Sequence, residues 1–171
     1  MELKSVIRDV PDFPKPGILF RDITPVLSDP AAFRCSVDGL ADLIDGTGFD
    51  RLAAIESRGF LFAAPLADRL DKGLTILRKP GKLPCDSVSV SYDLEYGSAT
   101  LEAHRDSLAA GERVVIVDDL LATGGSAAAA GELIRKLGGE VAAYLFLVEL
   151  TGLEGAKRLD DAPVFSLVNY Q

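Results

Sequence analysis

From residue 50 onward the chain repeats one alternation, and this limits its fold more than any other feature. Short apolar runs are separated by segments of helical character: RLAAIE (51–56) then GFLFAAPLADRLD (59–71), LTILRK (74–79), RVVIVD (113–118) then SAAAAGELIRKLG (126–138), EVAAYLFLVEL (140–150) then TGLEGAKRLD (151–160), and finally PVFSLV (163–168). The runs show little polar alternation, so both faces of these strands should be covered. Strands joined through helices pair in parallel. The expected class is therefore α/β, a central mostly parallel sheet flanked by helices. One segment departs from the pattern: SVSVSYDLEYGSATLEAH (87–104) alternates with period two and reads as a hairpin.

The first thirty residues are different in kind. Five of the nine prolines lie there, Pro11, Pro14, Pro16, Pro25 and Pro30. Proline fixes φ and removes a backbone donor, so after a short helix this stretch should be mostly irregular, without a buried sheet strand. A helix follows over 28–45, with Asp29 as its cap and Pro30 in its first turn. At 171 residues and 48% hydrophobic, the chain is expected to form one domain with a sizeable core.

Charge and cysteine usage exclude several functions. The formal net charge is -8, the wrong sign for generic nucleic-acid binding, so no nucleic-acid partner is expected. Cys35 and Cys85 stand far apart, and His104 is the one histidine, which suggests neither a disulfide framework nor a zinc site. No 18-residue apolar run occurs and the N-terminus lacks a signal-peptide core, so no membrane association is expected and the chain reads as soluble and cytoplasmic.

Ligands of open α/β sheets bind beyond the carboxyl ends of the strands, where three stretches attract notice. In VVIVDDLLATGGS (114–126) an apolar strand ends in Asp118 and Asp119, and a Gly-rich turn opens a helix. The backbone N–H groups of Ala122, Thr123, Gly124, Gly125 and Ser126 can form a nest for phosphate at the positive end of that helix. No lysine follows the glycines, so this is not a Walker loop. Read alone, the turn also fits a tight turn capped by aspartate. A ligand carrying a phosphate and a neighbouring diol would satisfy both halves, with the acids on sugar hydroxyls and the glycines on the 5-phosphate. ESRGF (56–60) sets Ser57 and Arg58 at the same edge, although a surface arginine at a helix start is the plainer reading. RKPGK (78–82) concentrates Arg78, Lys79 and Lys82 in an otherwise acidic chain, as a cation cluster or a solvated loop.

The stretch VVIVDDLLATGGS resembles the phosphoribosyl pyrophosphate (PRPP) motif of type I phosphoribosyltransferases. The order of DFPKPGILFRDITPVLSDP, ESRGFLF, RKPGKLP, YDLEYG, LEAH and LVEL extends that resemblance over nearly the whole chain, and DDLLATGG is similar to the version in the adenine-using branch. The resemblance implies that fold, with residues 1–30 forming a small hood over the base and the hairpin acting as a flexible flap. It implies transfer of phosphoribosyl from PRPP to adenine, giving AMP and pyrophosphate, with Mg2+ held mainly through PRPP and water, in a homodimer. In that reading Ser57 and Arg58, with a cis-like peptide near Glu56–Ser57, cradle pyrophosphate. Lys79 and Lys82 face the same group, and Arg78 reaches towards a partner subunit. Some relatives carry a further basic residue where this chain has Pro80.

Further along, Glu95 assists catalysis and Tyr96 closes the flap, while His104 takes either a pyrophosphate-side or a structural role. Leu19, Phe20 and Arg21 recognise adenine, with Leu120 on the other face of the ring. Relatives acting on 6-oxopurines carry a carboxylate at the position of Ala122, and alanine cannot accept the proton. Two alternative readings are the same chemistry on another purine and a PRPP-sensing regulator without turnover.

Overall fold

The computed structural model describes residues 1–94 and 97–171. The chain separates into two compact units, Met1–Gly39 and Leu40–Gln171.

In the first unit a 3-10 turn, Leu3–Ser5, precedes an antiparallel ribbon of β1 (Arg8–Pro11) and β2 (Leu19–Asp22). The proline density predicts irregular chain here, and the ribbon is a correction to that expectation. Its strands have only four residues each, and Pro11 closes the ladder opposite Leu19, so proline's missing donor interrupts nothing. The ribbon stays outside the central sheet. Helix α1 (Thr24–Ser28) follows, then α2 (Pro30–Leu43), which runs across the boundary between the units. The Asp29 carboxylate accepts from the Ala31 N–H at 2.9 Å, the expected cap.

The second unit is built on a five-stranded sheet ordered β4-β3-β7-β8-β9, with every neighbouring pair parallel. The members are β3 (Arg51–Ile55), β4 (Gly73–Leu77), β7 (Arg113–Leu121), β8 (Glu140–Leu150) and β9 (Val164–Tyr170). Val114 to Val117 are fully buried at its centre, as an unalternating apolar run requires. Helix α3 (Gly59–Leu70) connects β3 to β4, and α4 (Gly125–Lys136) connects β7 to β8. Since βαβ crossovers are right-handed, connections that move outward in opposite directions put α3 and α4 on opposite faces. The hairpin, β5 (Ser87–Asp93) and β6 (Ser98–His104), packs against α4.

Two expectations need adjustment. Strand β7 runs three residues past Asp118, so both acids lie within it. The segment 151–160 is not an α-helix but two 3-10 turns, Thr151–Leu153 and Gly155–Arg158. Glu154 between them sits at φ 54°, a left-handed conformation that ends helical continuation. The order 4-3-7 and then 7-8-9 reverses the direction of winding between β3 and β7. That reversal opens a crevice at their carboxyl ends.

Candidate active site

The crevice is a cleft of about 1550 Å³ wholly within the second unit, lined by the ends of β3 and β7 and by the loops that follow β4 and β8. Single small-molecule sites run about 300–1,000 Å³, so there is room for two reactants. At its floor are the acids of β7. Asp119 is 3% exposed, and its backbone N–H donates to the Asp118 carboxylate at 2.8 Å. Helix α3 begins against them: a Cβ on Gly59 would fall 2.8 Å from the Val117 carbonyl oxygen and 3.1 Å from Asp118 Oδ1. Glycine is therefore needed where the 56–59 loop crosses β7. Arg58, just before it, places Nε 3.0 Å from Asp119 Oδ2.

The electrostatics of the acid pair follow from burial. Removal from water pushes the Asp118 carboxyl well above its ordinary range, and the neighbouring Asp119 charge adds to that rise. Asp119 is also raised by burial, with the Arg58 guanidinium opposing. Two adjacent carboxylates with one guanidinium, on Asp119, make a site short of positive charge, and Asp119 Oδ2 is buried without a hydrogen-bond partner among the described residues. Sugar hydroxyls or a hydrated cation supply both.

Immediately after β7 the chain turns through Gly124, at φ 81°, into α4. The first helical bond runs from the Ala128 N–H to the Gly124 carbonyl, 2.9 Å, so the N–H groups at the start of α4 have no partner within the helix. Ala122, Thr123, Gly124, Gly125 and Ser126 all line the cleft. The Ser126 hydroxyl lies 3.1 Å from the Tyr92 hydroxyl, which links the hairpin to this turn.

The basic loop after β4 is organised by a carboxylate that sequence reasoning passed over. Glu56, 7% exposed, accepts from the Lys79 backbone N–H at 2.8 Å, from Lys82 Nζ at 2.9 Å and from Arg78 Nη2 at 3.3 Å. Burial alone would raise its pKa. The Lys79 N–H, Lys82 and Arg78 overcome that and hold it down at about 2. Arg78 also joins β6 through a two-way backbone bridge with Glu102, and Gly81 N–H donates to the Glu102 carboxylate at 3.2 Å. Lys79 reaches the cleft, whereas Arg78 and Lys82 are tied to Glu56 and do not line it. The Glu56–Ser57 peptide is cis, as the resemblance led one to expect, and Ser57 and Arg58 line the cleft. His104 does not line it; its Nε2 is buried and without a partner among the described residues.

Leu120 lines the cleft beside the acids. Leu19, Phe20 and Arg21 lie on β2 of the first unit. There Phe20 packs edge-on against Phe13, with ring centroids 5.1 Å apart, and Arg21 forms an ion pair with Asp9. Glu95 and Tyr96 lie outside the described residues; their neighbours Asp93, Leu94 and Ser98 line the cleft. Sequence reasoning also missed Tyr92 and Arg158. Tyr92 is an aromatic on an alternating strand, and Arg158 was hidden in a stretch expected to be helix.

Residues 31–169 match the family model described as phosphoribosyl transferase domain. An adenine phosphoribosyltransferase of Thermoanaerobacter sp. (strain X514) is 54% identical over 169 residues, covering 99% of this chain and 98% of that protein. The crystal structure of adenine phosphoribosyltransferase from Thermoanaerobacter pseudethanolicus superposes with a TM-score of 0.96 at 54% identity, over 99% of this chain and 98% of that one. The Saccharomyces cerevisiae enzyme, solved with adenine and an imino-altritol bisphosphate, gives 0.91 at 42% identity, over 97% and 96%.

Proposed function

The chain belongs to the phosphoribosyl transferase family, among its adenine phosphoribosyltransferases, and on that premise we propose how its residues carry out the transfer. The reaction is purine salvage: adenine and PRPP give AMP and pyrophosphate. One observation supports the assignment of roles most strongly. An acid pair at 118–119 and a glycine turn at 122–126 with open N–H groups line one cleft. A ribose 5-phosphate satisfies both at once.

In this reading Asp118 and Asp119 hold the ribose hydroxyls, and residues 122–126 take the 5-phosphate on backbone N–H groups with help from Thr123 and Ser126. Ser57, Arg58 and Lys79 receive the pyrophosphate. Arg78 and Lys82 support that end through Glu56, and His104 acts structurally. Leu120 offers an apolar face for adenine in the cleft, and Leu19, Phe20 and Arg21 of the N-terminal thirty residues are the remaining adenine-recognition residues of this reading. Adenine N9 bonds to ribose C1 as the bond from C1 to pyrophosphate breaks, and the N9 proton passes to Glu95 or to water. Tyr96 and the hairpin exclude water, which would otherwise take the ribosyl group. Ala122 leaves no carboxylate beside purine N7, which suits adenine over 6-oxopurines.

A hydrated Mg2+ fits the acid pair, because this ion keeps several waters and takes one or two carboxylates plus phosphate oxygens. Asp118 and Asp119 would hold it through water and the ligand's oxygens, and such an ion would supply charge neutralisation for the leaving pyrophosphate. The protein is expected to act as a homodimer, which its mass in solution reads. Purified protein with Mg2+, PRPP and adenine should release AMP and pyrophosphate in equal amounts. No AMP under those conditions contradicts the proposal.

A further inference from the structure

Resting on the reading that residues 122–126 take the 5-phosphate, we propose that Arg158 is a further binding residue for that phosphate. The turn that carries it is seated directly on the cradle. A Cβ on Gly155 would fall 2.2 Å from the Ala122 carbonyl oxygen, and one on Gly124 would fall 2.5 Å from the Gly155 carbonyl oxygen. Only two glycines allow the turns to meet backbone to backbone in this way. The seat fixes where Arg158 leaves the chain. Its Cβ lies 3.4 Å from the position a Cβ on Gly124 would take, and its Nη1 lies 3.7 Å from the corresponding position on Gly125, the first residue of α4. The guanidinium thus lines the cleft at the mouth of the open N–H groups.

Other cations around the cleft are already engaged by carboxylates: Arg58 with Asp119, Arg135 with Asp161, Arg78 and Lys82 with Glu56. Among the described residues, Arg158 and Lys79 line the cleft with no side-chain ion pair. They stand on the two sides of β7, Lys79 after β4 and Arg158 after β8. The magnitudes say why the cradle needs such a charge. A phosphate monoester brings about -1.5 to -2 charges at neutral pH, whereas a helix N-terminus offers roughly half a positive charge. The backbone donors add none. Arg158 supplies a full charge and a planar fork suited to phosphate oxygens.

Arg158→Ala and Arg158→Lys test this through binding of AMP and of adenosine, which lacks the phosphate, alongside the steady-state constants. Arg158 is exposed, so neither variant should lower Tm. In Arg158→Ala, KM for PRPP and Kd for AMP should rise about tenfold, the effect of losing about 1.4 kcal/mol. KM for adenine and Kd for adenosine should not move, so the preference for AMP over adenosine shrinks by the same factor. Arg158→Lys should recover most of that preference, which a merely structural role would not predict. An unchanged AMP preference in Arg158→Ala, with wild type forming AMP, overturns this inference alone. A tenfold loss of preference in a protein that forms no AMP would instead uphold the phosphate contact and overturn the transfer reading.

Discussion

Two carboxylate sites line the β3–β7 crevice, and the same chemical group behaves oppositely in them. The Glu56 side chain is largely covered but ringed by donors, and its pKa falls to about 2. Asp119 is buried and Asp118 half-buried beside it, with the Arg58 guanidinium paired to Asp119, and both rise. Burial raises all three. At Glu56 the Lys79 N–H, Lys82 and Arg78 outweigh it, whereas at the acid pair deep desolvation and, for Asp118, the neighbouring charge outweigh the donors present. Glu56 is satisfied by the protein alone, so its work is structural: it draws Arg78, Lys82 and the Lys79 backbone together and leaves the Lys79 ammonium to the cleft. The acid pair is not satisfied by the protein, and the shortfall is what a ribose diol or a hydrated cation would fill.

The largest expected effect comes from neutralising an acid of the unsatisfied pair. Asp118→Asn should lower kcat/KM by about 100-fold or more, losing over ~2.7 kcal/mol of transition-state stabilisation. The same change should raise stability. With a folded pKa above the unfolded one, the folded protein binds the proton more readily, so stability is lost as pH rises from the ordinary carboxylate range through the raised value. The ionised carboxylate bears that cost, and asparagine removes it. A Tm higher by about 2–4 °C per kcal/mol is expected in calorimetry of the ligand-free protein. A fall in Tm with activity intact would break the contrast between the sites.

At the satisfied site the signs reverse. Glu56→Gln leaves Arg78 and Lys82 without their counter-ion, at a cost on the order of 2 kcal/mol, so Tm should fall by about 4–8 °C. Turnover should suffer less than in Asp118→Asn, because the acid pair and cradle remain. The smallest effect is in pH dependence. Glu56 stabilises the fold fully above its ordinary value of 4.5, and the contribution disappears as pH falls towards about 2. The Tm gap between wild type and Glu56→Gln should therefore be constant above pH 5 and close progressively below it. A gap that persists at pH 2 would mean packing, not charge, holds the basic loop.

What was legible in sequence divides along the same lines. The acid pair and the glycine turn are contiguous, within residues 118–126, so a strand pattern followed by a turn pattern was enough to join them. The parallel sheet was legible because full burial on both faces leaves apolar runs such as 114–117 without alternation. Glu56 was not legible as an organiser, because its partners lie 22 to 26 residues away and meet it only once β3 and β4 align. Arg158 was missed for another reason: GAKRLD has helical composition, and only the seat of Gly155 on Ala122 and the positive φ of Glu154 turn it into 3-10 structure. The ribbon at 8–22 escaped because proline density argues against strands in general and not against a four-residue pair at an edge.

The most direct test is a crystal structure of the protein with AMP. The ribose hydroxyls should lie within hydrogen-bond distance of Asp118 or Asp119, while the 5-phosphate rests on the N–H groups of residues 122–126. A phosphate bound elsewhere, with neither carboxylate within hydrogen-bond distance of a ribose hydroxyl, would contradict the account.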